Sequence, residues 1–355
     1  MPLPLAPNPF LGIVLHAIGG FAAGSFYIPF KKVRGWAWES YWLAGGFFSW
    51  IIAPWVLGYL TCPDLLAVLT GAPGRALLWA YLFGILWGVG GLTFGLSMRY
   101  LGMSLGYALA LGFCAAFGTL IPPIFKGELA GMLAKHSGEV TLLGVLVCLA
   151  GIAVCGHAGV SKEKELSSDE KQAVLSEFNF GKGLWVAIFA GVMSACMAFA
   201  IQAGKPIAAL AVEHGAPSLF QNTPSFIVIL AGGFTTNFIW CVALNIRNRT
   251  GGDYLRCPDA SVLANYAFSA LAGITWYLQF LFYGMGTTRM GKYDFSSWTI
   301  HMAFIIVFSN LWGLHFREWR GSSRRTHNVV FAGIAVLVLS TVVVGLGNYL
   351  AALKQ

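Results

Sequence analysis

SKEKELSSDEKQAVLSEFNFGK, residues 161–182, is the one long polar stretch in an otherwise apolar chain. It falls almost at mid-chain, and counting outward from it decides the fold. Toward the N-terminus, five stretches contain no Asp, Glu, Lys or Arg: 1–30, 40–63, 76–98, 100–125 and 140–161. Toward the C-terminus there are five more: 183–204, 214–246, 260–288, 295–316 and 326–353. Each supplies the roughly 20 apolar residues that a spanning helix needs. The pattern predicts an all-α polytopic membrane protein with ten transmembrane helices as two inverted five-helix repeats. The first repeat covers 1–160, a cytoplasmic linker 161–182, and the second repeat 183–355. An odd number of helices per half requires the repeats to be inverted in the membrane. FGLSMRYLG (94–102) and YGMGTTRMG (283–291) end the third helix of each half. Only Arg99 separates the third and fourth runs, so a tight turn is expected at Arg99-Tyr100-Leu101-Gly102.

Composition excludes the soluble classes. Of 355 residues, 57% are hydrophobic and 10% charged, against roughly 25% charged in a soluble domain. Mean hydropathy is +0.71. The net charge of +8 does not form a nucleic-acid patch, because the cations are parcelled out among short loops. Fifteen of the 22 Lys and Arg fall in the loops that include 31–34, 99, 162–182, 247–256 and 317–325, and seven on the other side. The richer side is cytoplasmic, which leaves both termini outside. The first ten residues lack a positively charged region, so no cleavable signal peptide is expected and the first run stays as a helix. The seven cysteines show no C-x-x-C pairing, and five lie deep in apolar runs as small packing residues. No metal site and no cofactor are expected. Gly84, Gly88, Gly91 and Gly95 make one glycine face on the third helix, suited to close helix packing.

Ionisable groups are costly in hydrocarbon, so those at membrane depth point to function. His157 and His315 lie near helix ends and are expected at the interface. Lys205, beside Pro206, either ends the sixth helix by snorkelling or has a role of its own. Glu39 opens the second helix and either pairs with Lys31, Lys32 or Arg34 or couples a proton. Asp294 and His301 stand seven residues apart in KYDFSSWTIHMAF (292–304), two turns on one helical face. With Ser297 and Trp298 they read as a cavity wall in which a carboxylate or an imidazole takes up a proton. In ITWYLQFLFYG (274–284), Trp276, Gln279, Phe280 and Tyr283 fall at i, i+3, i+4 and i+7. Aromatic faces beside an amide and a phenol suit a sugar, whereas a lipid-facing stripe would leave Gln279 unexplained. His16, Tyr27, Gln202 and Asn222 are further polar points for substrate binding. An intramembrane enzyme using Asp294 and His301 as acid and base would lack any nucleophile or metal set beside them, and no soluble-enzyme motif is present.

Several stretches are similar to one family. They include Phe26-Tyr27-x-Pro29-Phe30-Lys31-Lys32-Val33, Trp36-x-Trp38-Glu39, Ser49-Trp50-Ile51-Ile52-x-Pro54-Trp55 and Met98-Arg99-Tyr100-Leu101-Gly102-Met103-Ser104. Thr141-Leu142-Leu143-Gly144, Glu177-Phe178-Asn179, Trp276-Tyr277-Leu278-Gln279-Phe280, Tyr293-Asp294, Ser297-Trp298, His301-Met302 and Glu318-Trp319 complete the set. They resemble the L-rhamnose–proton symporter family of the drug/metabolite transporter superfamily. The resemblance implies inverted five-helix repeats and import of L-rhamnose, or a related 6-deoxyhexose, with a proton across the bacterial inner membrane. It makes His16, Glu39, Gln279, Asp294 and His301 family positions without giving each a role. Phe220-Gln221-Asn222-Thr223 is more polar than the family pattern, which leaves open another sugar or a non-transporting sugar sensor.

Overall fold

The computed structural model describes residues 7–101, 103–165, 180–257, 261–316, 319 and 321–353. These residues form helices and turns and no strand. Eight helices are long and apolar enough to cross a membrane: Pro9–Phe30, Trp38–Thr61, Gly74–Phe94, His136–Lys162, Gly181–Glu213, Ser218–Asn248, Ser297–His315 and Arg324–Ala352. A shorter apolar helix spans Leu109–Phe125, and a 26-residue helix covers Val262–Thr287.

The elements used below are α1 (Pro9–Ser25), α2 (Trp38–Phe47), α3 (Ala53–Thr61), α4 (Gly74–Leu101), α5 (Met103–Phe125) and α6 (His136–Glu165). The second half supplies α7 (Phe180–Ala203), α8 (Lys205–Glu213), α9 (Thr223–Asn248), α10 (Val262–Thr287), α11 (Ser297–His315) and α12 (Arg324–Ala352). Of the polar stretch 161–182, the first five residues continue α6 and the last three open α7; the rest lies outside the described residues. Of the expected turn at 99–102, Arg99, Tyr100 and Leu101 instead continue α4, and Gly102 lies outside the described residues.

The chain divides into two compact units. The first takes Ala22–Val89 and Phe199–Met285; the second takes Leu5–Phe21, Gly90–Ala198 and Gly286–Gln355. In the first unit α9 packs against α2, α3 and the π-helical turn between them, Phe48–Ile52. That wide turn has a covalent cause. Pro54 brings no N–H and its ring would clash with a carbonyl one turn back, and the extra residue per turn relieves this. It also turns Ser49 and Trp50 inward, where both are buried. Gly84 on α4 faces the Ile229 backbone, and Gly88 faces Gly233 and Thr236. Two helices meet there at backbone distance, which glycine alone permits.

The glycine face expected on α4 is therefore only partly used in packing. Gly91 has nothing within 4 Å of where its Cβ would stand, and its neighbour Gly90 packs instead on Ser194 of α7 in the second unit. Lys205 is exposed, yet the chain does not stop there: it breaks at Gly204 and resumes as α8.

The longest seam of the second unit joins α6 and α12 as antiparallel neighbours. Gly144 lies against Val344 and Gly151 against Leu337, while Gly333 lies against Cys155 and Gly347 against Thr141. Along α6 the buried positions include Ser137, Thr141, Gly144, Cys148, Gly151, Cys155 and Ala158. Along α12 they include Thr326, Val330, Gly333, Leu337, Ser340, Val344 and Gly347, each 189 residues after its counterpart. Every seventh position is small on both helices, as tight packing in lipid favours.

Candidate functional site

In the first unit, α2, the π turn and α10 enclose an aromatic cavity. Phe26, Phe30, Trp42, Trp50 and Trp276 form its walls, with Gly45, Gly46, Gly273 and Ser49 between them. Gly273 faces the Gly45 carbonyl, so α2 and α10 touch through their backbones. The rings lock together: Phe26 and Trp276 are tilted with centroids 4.1 Å apart, while Trp42 and Trp50, and Trp276 and Phe280, meet edge to face at 6.2 Å each. Such pairs stabilise by about 0.5–1.5 kcal/mol beyond burial. The Trp42 indole donates to Asn237 Oδ1 at 3.0 Å, and Asn237 Nδ2 donates to the Gly233 carbonyl. The space left is about 10 Å³, roughly one water position.

Three donors here have no partner among the described residues: the indole Nε1 of Trp50, the indole Nε1 of Trp276 and the amide Nε2 of Gln279. Ser49 Oγ is likewise buried without one. Gln279 is 4% exposed, Phe280 5% and Tyr283 5%, so the α10 stripe faces protein and not lipid. Unmet donors beside aromatic faces are what a hydroxylated ligand would complete.

Glu39, in the first turn of α2, is 5% exposed. Its Oε1 accepts from Asn248 Nδ2 and from Thr250 Oγ1, both at 2.9 Å. The partners are thus neutral groups at the end of α9, rather than the nearby cations the sequence offers. Beside it, Ser40 Oγ lies 2.7 Å from Asp253 Oδ2 and 3.1 Å from Asn245 Oδ1. Arg249, in the left-handed region at φ 58°, ends α9 and turns the chain back for these bonds.

In the second unit the histidines of α1 and α11 come together. His16 is 0% and His301 2% exposed, with ring centroids 6.1 Å apart in an edge-on arrangement. The His301 ring hydrogen-bonds the backbone of His16. Around α11, the Trp298 indole donates to the Cys114 carbonyl at 3.1 Å over Gly118, and Thr299 and Thr119 share a hydroxyl bond of 2.7 Å. Ser297 Oγ is buried and unpartnered among the described residues.

Asp294 is half-buried in a 3₁₀ turn, Gly291–Ser296, that precedes α11. This corrects the expected geometry. The α-helix begins only at Ser297, so Asp294 and His301 are not two turns of one helix. A 3₁₀ turn winds three residues per turn, and Gly291 at φ +68° starts it. Of the remaining expected residues, Asn222 donates its amide to the Gly284 carbonyl at 2.9 Å. Tyr27 is 40% exposed against Phe26 and Phe30, and Gln202 is half-buried. His157 and His315 are exposed. Six of the cysteines are buried free thiols. Trp42, Trp50 and Asn237 are not among the expected binding residues, although Trp42, Gly46 and Trp50 share a stripe with Glu39 that is the available signal for the two indoles. Sequence reasoning also missed the pairing of His16 with His301, which no local pattern announces.

Spanning helices that cross on glycine and keep imidazoles, amides and indole donors inside define a polytopic membrane transporter. Residues 7–351 match the family described as L-rhamnose-proton symport protein. The L-rhamnose-proton symporter of Cronobacter sakazakii is 39% identical over 340 residues, covering 95% of this chain and 97% of that protein. Those of Yersinia pestis and Yersinia pseudotuberculosis are 38% identical over the same shares. The chain belongs to the L-rhamnose-proton symport protein family.

Proposed function

We propose that this chain imports L-rhamnose with a proton across the bacterial cytoplasmic membrane. The observation that carries the reading is family membership across nearly the whole chain, joined to buried polar groups at family positions. The candidate sugar contacts are Trp276, Gln279, Tyr283, Tyr27, Gln202 and Asn222 in the first unit, and His16 and His301 in the second. Asp294 takes up the incoming proton, His301 relays it, and Glu39 is the second acidic candidate. No metal, nucleic acid or cofactor enters the cycle.

The architecture we infer is ten transmembrane helices in two inverted repeats, 1–160 and 183–355, joined by a cytoplasmic linker at 161–182, with both termini periplasmic. Three observations support it. Seven buried positions of α6 recur as buried positions of α12 at one constant separation. Corresponding helices pack on one another: α2 with α9, α5 with α11, α6 with α12. The chain passes between units at 22 and 89 in its first half, and at the counterpart places, 199 and 285, in its second.

The test uses proteoliposomes. An inward proton gradient should drive accumulation of L-rhamnose, and added sugar should carry protons inward. Asp294→Asn should still exchange sugar across the membrane but no longer accumulate it, and its binding should lose pH dependence. His301→Ala should lose binding itself. Accumulation by Asp294→Asn at the wild-type level moves the proton site elsewhere, with Glu39 the next residue to replace.

A further inference from the structure

His16 lies at the centre of α1 and His301 one turn inside α11, and both rings are buried. Beneath the His16 ring is Gly286. A Cβ there would stand 2.7 Å from Cε1, 2.8 Å from Nε2 and 3.0 Å from Nδ1 of His16. The imidazole therefore lies flat on bare backbone, a position that any side chain at 286 would deny it. Gly12 serves the same corner: a Cβ on it would meet the Met290 sulfur at 2.7 Å. From the other side the His301 ring hydrogen-bonds the His16 backbone.

We propose that His16 and His301 form one imidazole couple that carries a single proton on the transport path, and that Gly286 is the positioning residue that sets their spacing. This rests on the symport reading and deepens it. The step is a plain proton transfer: an arriving proton bonds to a ring nitrogen lone pair, and the same N–H bond breaks when it leaves. A second proton is resisted, because two imidazolium rings with centroids 6.1 Å apart repel strongly away from water. The couple accordingly titrates as a unit. Titratable or charged groups on the elements around it include Arg289 and Asp294 ahead of α11, Cys114 on α5, Cys148 and Cys155 on α6, and His315 at the far end of α11. The Cys148 thiol lies 3.8 Å from the Thr299 carbonyl. Within α1, α11 and the spanning part of α12 there is no carboxylate.

The experiment measures, on purified protein in weakly buffered solution, the protons taken up as L-rhamnose binds and the pH profile of that binding. Wild type should take up about one proton per sugar. Gly286→Ala and His16→Gln should each lower that uptake at least about twofold and flatten the pH profile, and Gly286→Ala should add nothing in the His16→Gln background. If Gly286→Ala weakens binding by the same factor with and without His16, Gly286 is only a packing residue and the proposal fails. Should Gly286→Ala not fold, imidazole ¹⁵N titration decides: replacing either histidine by Gln should move the titration of the other, and an unmoved titration overturns the couple. Wild type that binds L-rhamnose with no proton uptake at any pH sinks the symport reading as well, which separates the two failures.

Discussion

Burying an amide in a membrane helix costs free energy unless its hydrogen bonds are made, and Gln279 Nε2 lacks a partner among the described residues. A residue kept under that cost is explained by a ligand that supplies the missing acceptor. Gln279→Leu should therefore lose about 1–3 kcal/mol of sugar binding, a roughly ten- to hundredfold weaker Kd by calorimetry, while its Tm holds or rises. Trp276→Ala should lose binding to a similar degree, with some stability lost as well through the Phe26 and Phe280 contacts. Wild-type affinity in both variants would return the stripe to simple packing. Glu39 behaves differently, because its Oε1 is already satisfied by Asn248 and Thr250. Asn248→Ala removes one donor from a buried carboxylate and should lower stability by about 1–3 kcal/mol, read as a lower Tm in detergent.

At the scale of elements, the α6–α12 seam and its upper end make separate predictions. Gly144 leaves no room for a side chain, since even a Cβ would stand 2.6 Å from Val344 Cγ2 and 2.7 Å from its backbone nitrogen. Gly144→Leu should part the helices and unfold the protein at lower temperature, whereas Gly131→Ala, where nothing lies within 4 Å, should leave Tm unchanged. Equal Tm values for the two would remove the seam from the account of stability. Where α6 ends, Glu165 accepts from the Ser323 backbone N–H, and from the hydroxyls of Ser323 and Thr326 at 2.7 Å each. These bonds, the Ser323 N–H first among them, hold its carboxyl below the usual carboxylate range. A lowered folded pKa contributes stability above the ordinary carboxylate pKa, and that contribution is lost as pH falls through the lowered value. Protection from hydrogen exchange over the first turn of α12, taken relative to the intrinsic rate, should thus fall in acid in wild type. In Glu165→Gln that protection should be low at every pH; a well-protected, pH-independent turn in that variant would show that the cap does nothing.

For the whole molecule, the cation distribution predicts the orientation proposed above. Ser168→Cys and Lys354→Cys, in a background without native cysteine, should label differently with an impermeant thiol reagent applied to intact cells. The position in the linker should stay unlabelled and the C-terminal position should react. Labelling at Ser168→Cys from outside would reverse the whole topology, because every loop is tied to its neighbours through a spanning helix.

By itself the sequence determined the class of fold, because a bilayer requires long apolar runs with their backbone bonds made internally, and such runs are visible in one dimension. It also determined that Gln279 belongs to the interior, since a helix period and one costly amide suffice for that. Three things were left to the tertiary structure. Asp294 and His301 lie on different kinds of turn, a choice governed by Gly291 and by where α11 can start. Glu39 finds amide and hydroxyl partners more than 200 residues away instead of adjacent lysines. His16 meets His301, which only the folding of α1 against α11 over a bare glycine brings about. Contacts between residues so distant in sequence have no periodic signature; they depend on which helices pack together and on which side chains are small enough to let them approach.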